Sequence, residues 1–287
     1  MAEDREFITS LARGLSVIHA FDRDHPQQTL SEVAARTGLS PATARRCLWT
    51  LEQLGYVGTN GRYFMLRPKV VSLGSAFLES GRIEEIIQPI LRDIVAESGD
   101  SASLGVLEDH DVLYVANFSA RRFVRLTAGV GSHFPAYAVS MGRVLLAALP
   151  EDQLERYLKS ADLTPLTRVT VTDPKKLRKL IDKARGDGYV IVRDELEEGL
   201  AAVAVPVKLK SGRTVAALNC SSLTRRLDTD DRLQERVELL ERAAYRVAEA
   251  VQLIPSLAVS LGLPTDTDAV PAPVKPPARK AKGHARR

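Results

Sequence analysis

Residues 29–67 read TLSEVAARTGLSPATARRCLWTLEQLGYVGTNGRYFMLR. Thr29-Leu30-Ser31-Glu32 has the S/T-x-x-E spacing of a capping box, in which a hydroxyl and a carboxylate satisfy the first free backbone N–H groups of a helix. Gly38 is expected to stop that helix, because glycine takes the left-handed conformation of a C-terminal cap without steric penalty. Ser40-Pro41 then starts a second helix, with serine as N-cap and proline at the first position, where no N–H is missed. Ala44, Cys47, Leu48, Leu51 and Leu54 recur at three- and four-residue spacing and are expected to face a core. Thr43, Arg45, Arg46, Trp49 and Thr50 fall on other faces. Tyr56-Val57 and Tyr63-Phe64 flank Thr59-Asn60-Gly61-Arg62, where Asn-Gly is a strong signal for a type I′ hairpin. Two helices about a short turn, followed by a hairpin, make the winged form of the DNA-binding helix-turn-helix.

Outward from this segment, 11–21 places Leu11, Leu15, Ile18 and Phe21 on one face of an amphipathic helix, and residues 1–6 read as a frayed end. After the hairpin, Pro68 opens a linker helix over 69–79, broken by Ser80-Gly81. Beyond it, 82–254 interleaves strands and helices. A helix over 83–98 carries Pro89 and is expected to kink or restart near Gln88. Strands are expected at 102–107, 112–117, 123–128, 189–192, 201–209 and 214–220, and helices at 140–149, 151–159, 173–186 and 230–253. Hairpins outnumber crossovers, which points to an antiparallel sheet flanked by helices, so the class is α+β. The division expected is a winged helix-turn-helix domain at 7–68, a linker helix at 69–81, a second domain at 82–255 and a disordered Pro/Ala/Lys/Arg-rich tail at 264–287.

With 287 residues, 45% hydrophobic and 26% charged, the chain has length for two real cores. No apolar run reaches membrane-span length, and the first twenty residues carry acidic groups, so neither a membrane span nor a secretory signal is expected and the address is cytoplasmic. Cys47 and Cys220 are too far apart to suggest a disulfide framework. The net charge of +4 is unevenly placed. Six basic residues and no acidic one lie between 269 and 287, which leaves the rest of the chain at −2. Between Arg36 and Lys69 six basic residues face one acid, Glu52. Positive charge thus gathers in the winged segment and the tail, where phosphate would be met.

Ala42, Thr43, Arg45, Arg46 and Thr50 are the candidates for the major groove, with Ser40 at the helix start. Arginine can pair with guanine, and threonine can meet a thymine methyl or a phosphate. Arg62 at the hairpin tip is placed to reach a phosphate or the minor groove. Trp49 is expected to pack at the edge of the helical core. Elsewhere the chemistry is sparse. The acidic run Asp194-Glu195-Leu196-Glu197-Glu198 reads as a solvated loop with no histidine near it, Gly129-x-Gly131 is too short for a dinucleotide loop, and Cys220 reads as core. No cofactor, no metal site and no enzymatic activity are expected. The competing class is an enzyme carrying a regulatory winged domain.

The run Leu30-Ser31-Glu32-Val33-Ala34, then Gly38-Leu39-Ser40, Ala44-Arg45-Arg46, and Leu54-Gly55-Tyr56-Val57 resembles the IclR family of bacterial transcriptional regulators. So do Pro135-Ala136-Tyr137-Ala138-Val139-Ser140-Met141-Gly142-Arg143 and Glu198-Gly199-Leu200 with Ala204-Val205-Pro206-Val207, and the similarity covers about 5–255. Ser10-Leu11-Ala12-Arg13-Gly14-Leu15 and Ser140-Met141-Gly142-Arg143-Val144-Leu145 are most similar to the branch that regulates protocatechuate, catechol and 4-hydroxybenzoate operons of the β-ketoadipate pathway. The resemblance implies a GAF-like effector-binding domain that also oligomerises, a small aromatic or dicarboxylic acid as effector, and a dimer or tetramer on double-stranded operator DNA. It implies a pocket at Ala136, Ser140, Met141, Gly142, Leu200, Ala202, Asn219 and Ser221. A regulator of the same family answering a different small carboxylate is the alternative within it.

Overall fold

The capping box forms: the Thr29 hydroxyl accepts the Glu32 N–H, and the Glu32 carboxylate accepts the Thr29 N–H at 2.7 Å. Gly38 ends the helix at φ +68°, and Ser40 caps the next one with Pro41 in its first turn. The computed structural model describes residues 7–22, 24–80, 82–120, 129–254, 257–258 and 261. The expected strand at 123–128, the frayed start at 1–6 and the tail at 264–287 lie outside the described residues. Between Glu79 and Ser80 the chain divides into two compact units.

The first unit comprises α1 (Thr9–His19), β1 (Gln27–Gln28), α2 (Leu30–Thr37), α3 (Pro41–Gln53), β2 (Val57–Thr59), β3 (Phe64–Leu66) and α4 (Val71–Ser80). Its core is Val17, Phe21, Val33, Leu48, Leu51 and Val57. Three expectations fail here. Leu54, expected to face the core, is 52% exposed; Leu11 and Leu15 share one face of α1 with Ile18 as expected, and that face borders an open groove. Trp49 is 62% exposed and does not pack at the core edge. At about 100° per residue it points away from the face that Ala44, Leu48 and Leu51 already fill. The hairpin turn is not type I′. Thr59 pairs with Phe64 and the Asn60 N–H donates to the Tyr63 carbonyl across Gly61-Arg62, but within 60–63 only Gly61 takes a positive φ, +93°. A type I′ turn needs positive φ at two successive residues. Instead the Asn60 Oδ1 accepts the N–H groups of Arg62 and Tyr63 and bridges the loop. β1 adds a third strand alongside β3.

The second unit comprises α5 (Ile83–Ser98), β4 (Ser101–Glu108), β5 (Asp111–Phe118), β6 (His133–Pro135), α6 (Ser140–Ala147), α7 (Glu151–Ser160), α8 (Pro174–Asp187), β7 (Val190–Arg193), β8 (Leu200–Lys208), β9 (Thr214–Leu223) and α9 (Asp230–Leu253). One helix runs through Pro89 without the expected restart. The sheet order is β6-β5-β4-β9-β8-β7, every pair antiparallel. Successive residues Val203, Ala204 and Val205 are all buried, which in a strand of period two requires cover on both faces. The paired α5 and α9 pack on the sheet, and α6 packs on it with α8 behind. The core around α6 gathers Val112, Tyr114, Val192, Ala204 and Ala217 from the strands with Leu146, Leu154, Leu177 and Ile181 from the helices. Among the described residues no helix is long and apolar enough to cross a membrane.

Candidate functional site

Each unit presents one candidate. In the first, α3 and the hairpin carry the residues expected to meet DNA. Ser40 Oγ accepts the Thr43 N–H and lies 2.9 Å from Thr43 Oγ1, while Thr50 donates its hydroxyl to the Arg46 carbonyl one turn back. Those three hydroxyls are engaged within their own helix. Ala42, Arg45 and Arg46 are exposed, and Arg62 stands exposed in the hairpin with its guanidinium 5.1 Å from the Tyr63 ring centre. Thr43, Arg46 and Thr50 also border an apolar groove of about 560 Å³ with Leu11, Leu15, Leu54 and Leu73. The expected set therefore splits. Ala42 and Arg45 hold the outward side, where Trp49 joins them, and Thr43, Arg46 and Thr50 run along the α1 side.

In the second unit a small cavity of about 40 Å³ lies between α6 and the sheet, lined by Tyr114, Ala138, Val139, Ser140, Val192, Leu196, Leu200, Ala202, Asn219 and Ser221. Ser140, Leu200, Ala202, Asn219 and Ser221, read from the sequence, are brought together here. Ala136, Met141 and Gly142 are not. Successive side chains of α6 rotate by about 100°, so Met141 and Gly142 leave the cavity that Ser140 faces. Met141 is fully buried and packs toward Gly105 of β4, where an added Cβ would lie 3.2 Å from its Cε. A Cβ on Gly142 would sit 2.1 Å from the Ala136 carbonyl oxygen, so these two residues serve a backbone-to-backbone approach. Tyr114, Val192 and Leu196 escaped the sequence reading. Tyr114 alone carried a signal, a polar ring two residues from Val112 on the inward side of β5.

The cavity is apolar with a polar wall. Ser140 Oγ and Asn219 Oδ1 are buried and have no hydrogen-bond partner among the described residues. The Tyr114 hydroxyl meets the Asn219 side-chain amide, and burial pushes its pKa well above the ordinary tyrosine range, only partly offset by that amide. Tyr114 is therefore held in its neutral form at neutral pH. Ser140 is also the first residue of α6, whose free N–H groups and positive dipole end favour an anion. Such a wall can accept a carboxylate or a hydroxyl set on an apolar body.

Beside the cavity, Arg143 of α6 meets Glu195 in a bidentate pair at 2.8 and 2.6 Å. Arg143 also donates to the Tyr137 carbonyl, and Glu195 accepts the Val171 N–H. The expectation of a wholly solvated acidic run is corrected at this point. Glu195 is 8% exposed, since a partner 52 residues away neutralises it. Burial pushes the Cys220 thiol up to about 12, which leaves it protonated and unreactive at neutral pH. Among the described residues no cluster of His, Cys, Asp or Glu could hold a metal ion.

Comparison with known proteins bears on both units. A family model described as the IclR helix-turn-helix domain matches residues 10–61, and one described as the C-terminal region of the bacterial transcriptional regulator IclR matches 75–249. The chain is 41% identical over 244 residues to the Pca regulon regulatory protein of Pseudomonas putida, covering 85% of this chain and 84% of that one. It is 34% identical over 251 residues to the p-hydroxybenzoate hydroxylase transcriptional activator of Acinetobacter baylyi, covering 86% and 93%. A crystal structure of an IclR homolog from Microbacterium hydrocarbonoxydans, complexed with 4-hydroxybenzoate, superposes with a TM-score of 0.67 at 28% identity, covering 87% of this chain and 99% of that one.

Proposed function

The chain belongs to the IclR family of bacterial transcriptional regulators, and from that premise we propose that it controls genes of aromatic-acid breakdown in answer to a small aromatic or dicarboxylic acid. In this reading α3 and the hairpin over 57–66 hold operator DNA, and the cavity under α6 takes the effector. The observation that carries it is the pair of buried, unpartnered polar atoms, Ser140 Oγ and Asn219 Oδ1, in an otherwise apolar cavity. Buried polar groups are seldom left without partners, and a carboxylate or phenol would supply one. The relatives support the chemical class, since one is named for the pca regulon, one for p-hydroxybenzoate hydroxylase, and one was crystallised with 4-hydroxybenzoate.

Size adds a requirement. At about 40 Å³ the cavity is smaller than the roughly 150 Å³ that admits benzene in an apolar protein cavity. An aromatic effector must therefore displace part of the wall. The loop 194–199 supplies Leu196 to that wall and is bounded by two residues at positive φ, Asp194 at +60° and Gly199 at +88°. The protein acts as a homodimer or tetramer in the cytoplasm, where its DNA lies. The exposed apolar groove along α1, with Leu11, Leu15, Leu54 and Leu73, supports pairing with a second copy.

Thermal-shift titration with 4-hydroxybenzoate, protocatechuate, muconate and β-ketoadipate tests the reading. At least one acid raises the melting temperature, and Asn219→Leu abolishes that shift while gel retardation of the upstream DNA is retained. A normal shift in Asn219→Leu would place the effector elsewhere.

A further inference from the structure

On the outward side of α3 the residues Ala42, Arg45 and Trp49 follow one another at spacings of three and four, so they form one stripe along the helix. The hydroxyls of Ser40, Thr43 and Thr50 are occupied within the helix, so this stripe and the exposed Arg46 are free to meet a partner. Trp49 is 62% exposed, and among the described residues its indole N–H finds no acceptor. Between Pro41 and Trp49 there are two arginines and no acid. The surface around the indole is thus matched to a polyanion.

We infer that Trp49 is a specificity-determining residue that reads the C5-methyl group of thymine in the major groove, one to two base pairs from the base that Arg45 contacts. The inference rests on the reading of α3 as the DNA-contacting helix. Its spacing follows from the helix: four residues rise about 6 Å, against about 3.4 Å per base-pair step. Its chemistry follows from the groove, where the thymine methyl is the one apolar feature and an apolar side chain is its natural partner. An uncharged ring releases no counterions, so Trp49 contributes to sequence preference and not to salt dependence.

The test uses the full chain and a duplex selected from a random library by that chain. Thymines near the preferred guanine are replaced one at a time by deoxyuridine, which removes only the methyl group. For the parent protein, at least one replacement weakens binding by about four-fold, the effect of losing one buried carbon. In Trp49→Ala the parent duplex binds more weakly and that replacement has no further effect. Trp49→Phe keeps the discrimination, and the slope of affinity against salt is unchanged in both variants. Equal losses in the parent and in Trp49→Ala on every replacement would overturn the assignment. So would a loss in Trp49→Ala that is uniform over all duplexes, or a change in oligomeric state. If instead the parent enriches no sequence from the library, it is the DNA-binding reading itself that fails.

Discussion

Arg143 and Glu195 show how a single contact escapes a reading along the chain. Their side chains are 3% and 10% exposed and join in a bidentate pair. Removing one partner of a buried pair leaves an uncompensated charge and costs about 3–5 kcal/mol, whereas replacing both by apolar side chains is often neutral or better. Arg143→Ala is therefore expected to lower stability by about that amount in urea titration, with Arg143→Met/Glu195→Leu recovering most of the loss. A single variant as stable as the parent would refute the role. Ser140 and Asn219 were reached through the family resemblance, since a serine at a helix start is ordinary capping chemistry by itself. Glu195 was not, since its partner is remote in sequence. Trp49 was misread for a related reason. A tryptophan beside a core stripe ordinarily packs, and only the orientation of α3 shows that Leu48 and Leu51 leave it no room.

Whole elements were more legible where their ends were chemically marked. α2 begins and ends, and α3 begins, at its sequence signals, because the cap hydroxyls and Gly38 act within four residues of the helix termini. β1 and β6 are two and three residues long, too short for a period to register, and form only because β3 and β5 offer edges. Thr29→Ala removes the side-chain half of the capping box and should cost about 1 kcal/mol. The unfolding transition of the first unit is then expected to fall by about 4–8 °C; an unchanged calorimetric trace would show that the box contributes nothing. Glu32 gives the same cap a pH dependence. Hydrogen bonds from Thr29 hold its pKa below the ordinary carboxylate range. Its contribution is thus complete above that range and fades as pH falls through the lowered value.

At the scale of the molecule the two units must answer each other if the proposed function holds. Coupling between an effector and a DNA site is reciprocal: whatever factor the acid applies to operator affinity, the operator applies to acid affinity. We expect a factor of roughly 5–150, measured as the ratio of effector dissociation constants by calorimetry with and without a saturating operator duplex. A ratio of one, with both ligands bound, would mean that the units do not communicate. The antiparallel sheet was readable from hairpin spacing. The cavity wall was readable only in part, because it draws on four strands, the start of α6 and a loop. The pairing of β4 with β9, Ser101 opposite Ser221, has a further consequence for how the protein is made. The two central strands leave the ribosome 120 residues apart, roughly 6–24 s at ordinary rates of synthesis. The first unit, residues 1–79, is synthesised well before then. On the proposed reading, translation that stops anywhere between 80 and 213 therefore yields α2 and α3 without Asn219, a chain that keeps the proposed DNA contacts and lacks the proposed effector site.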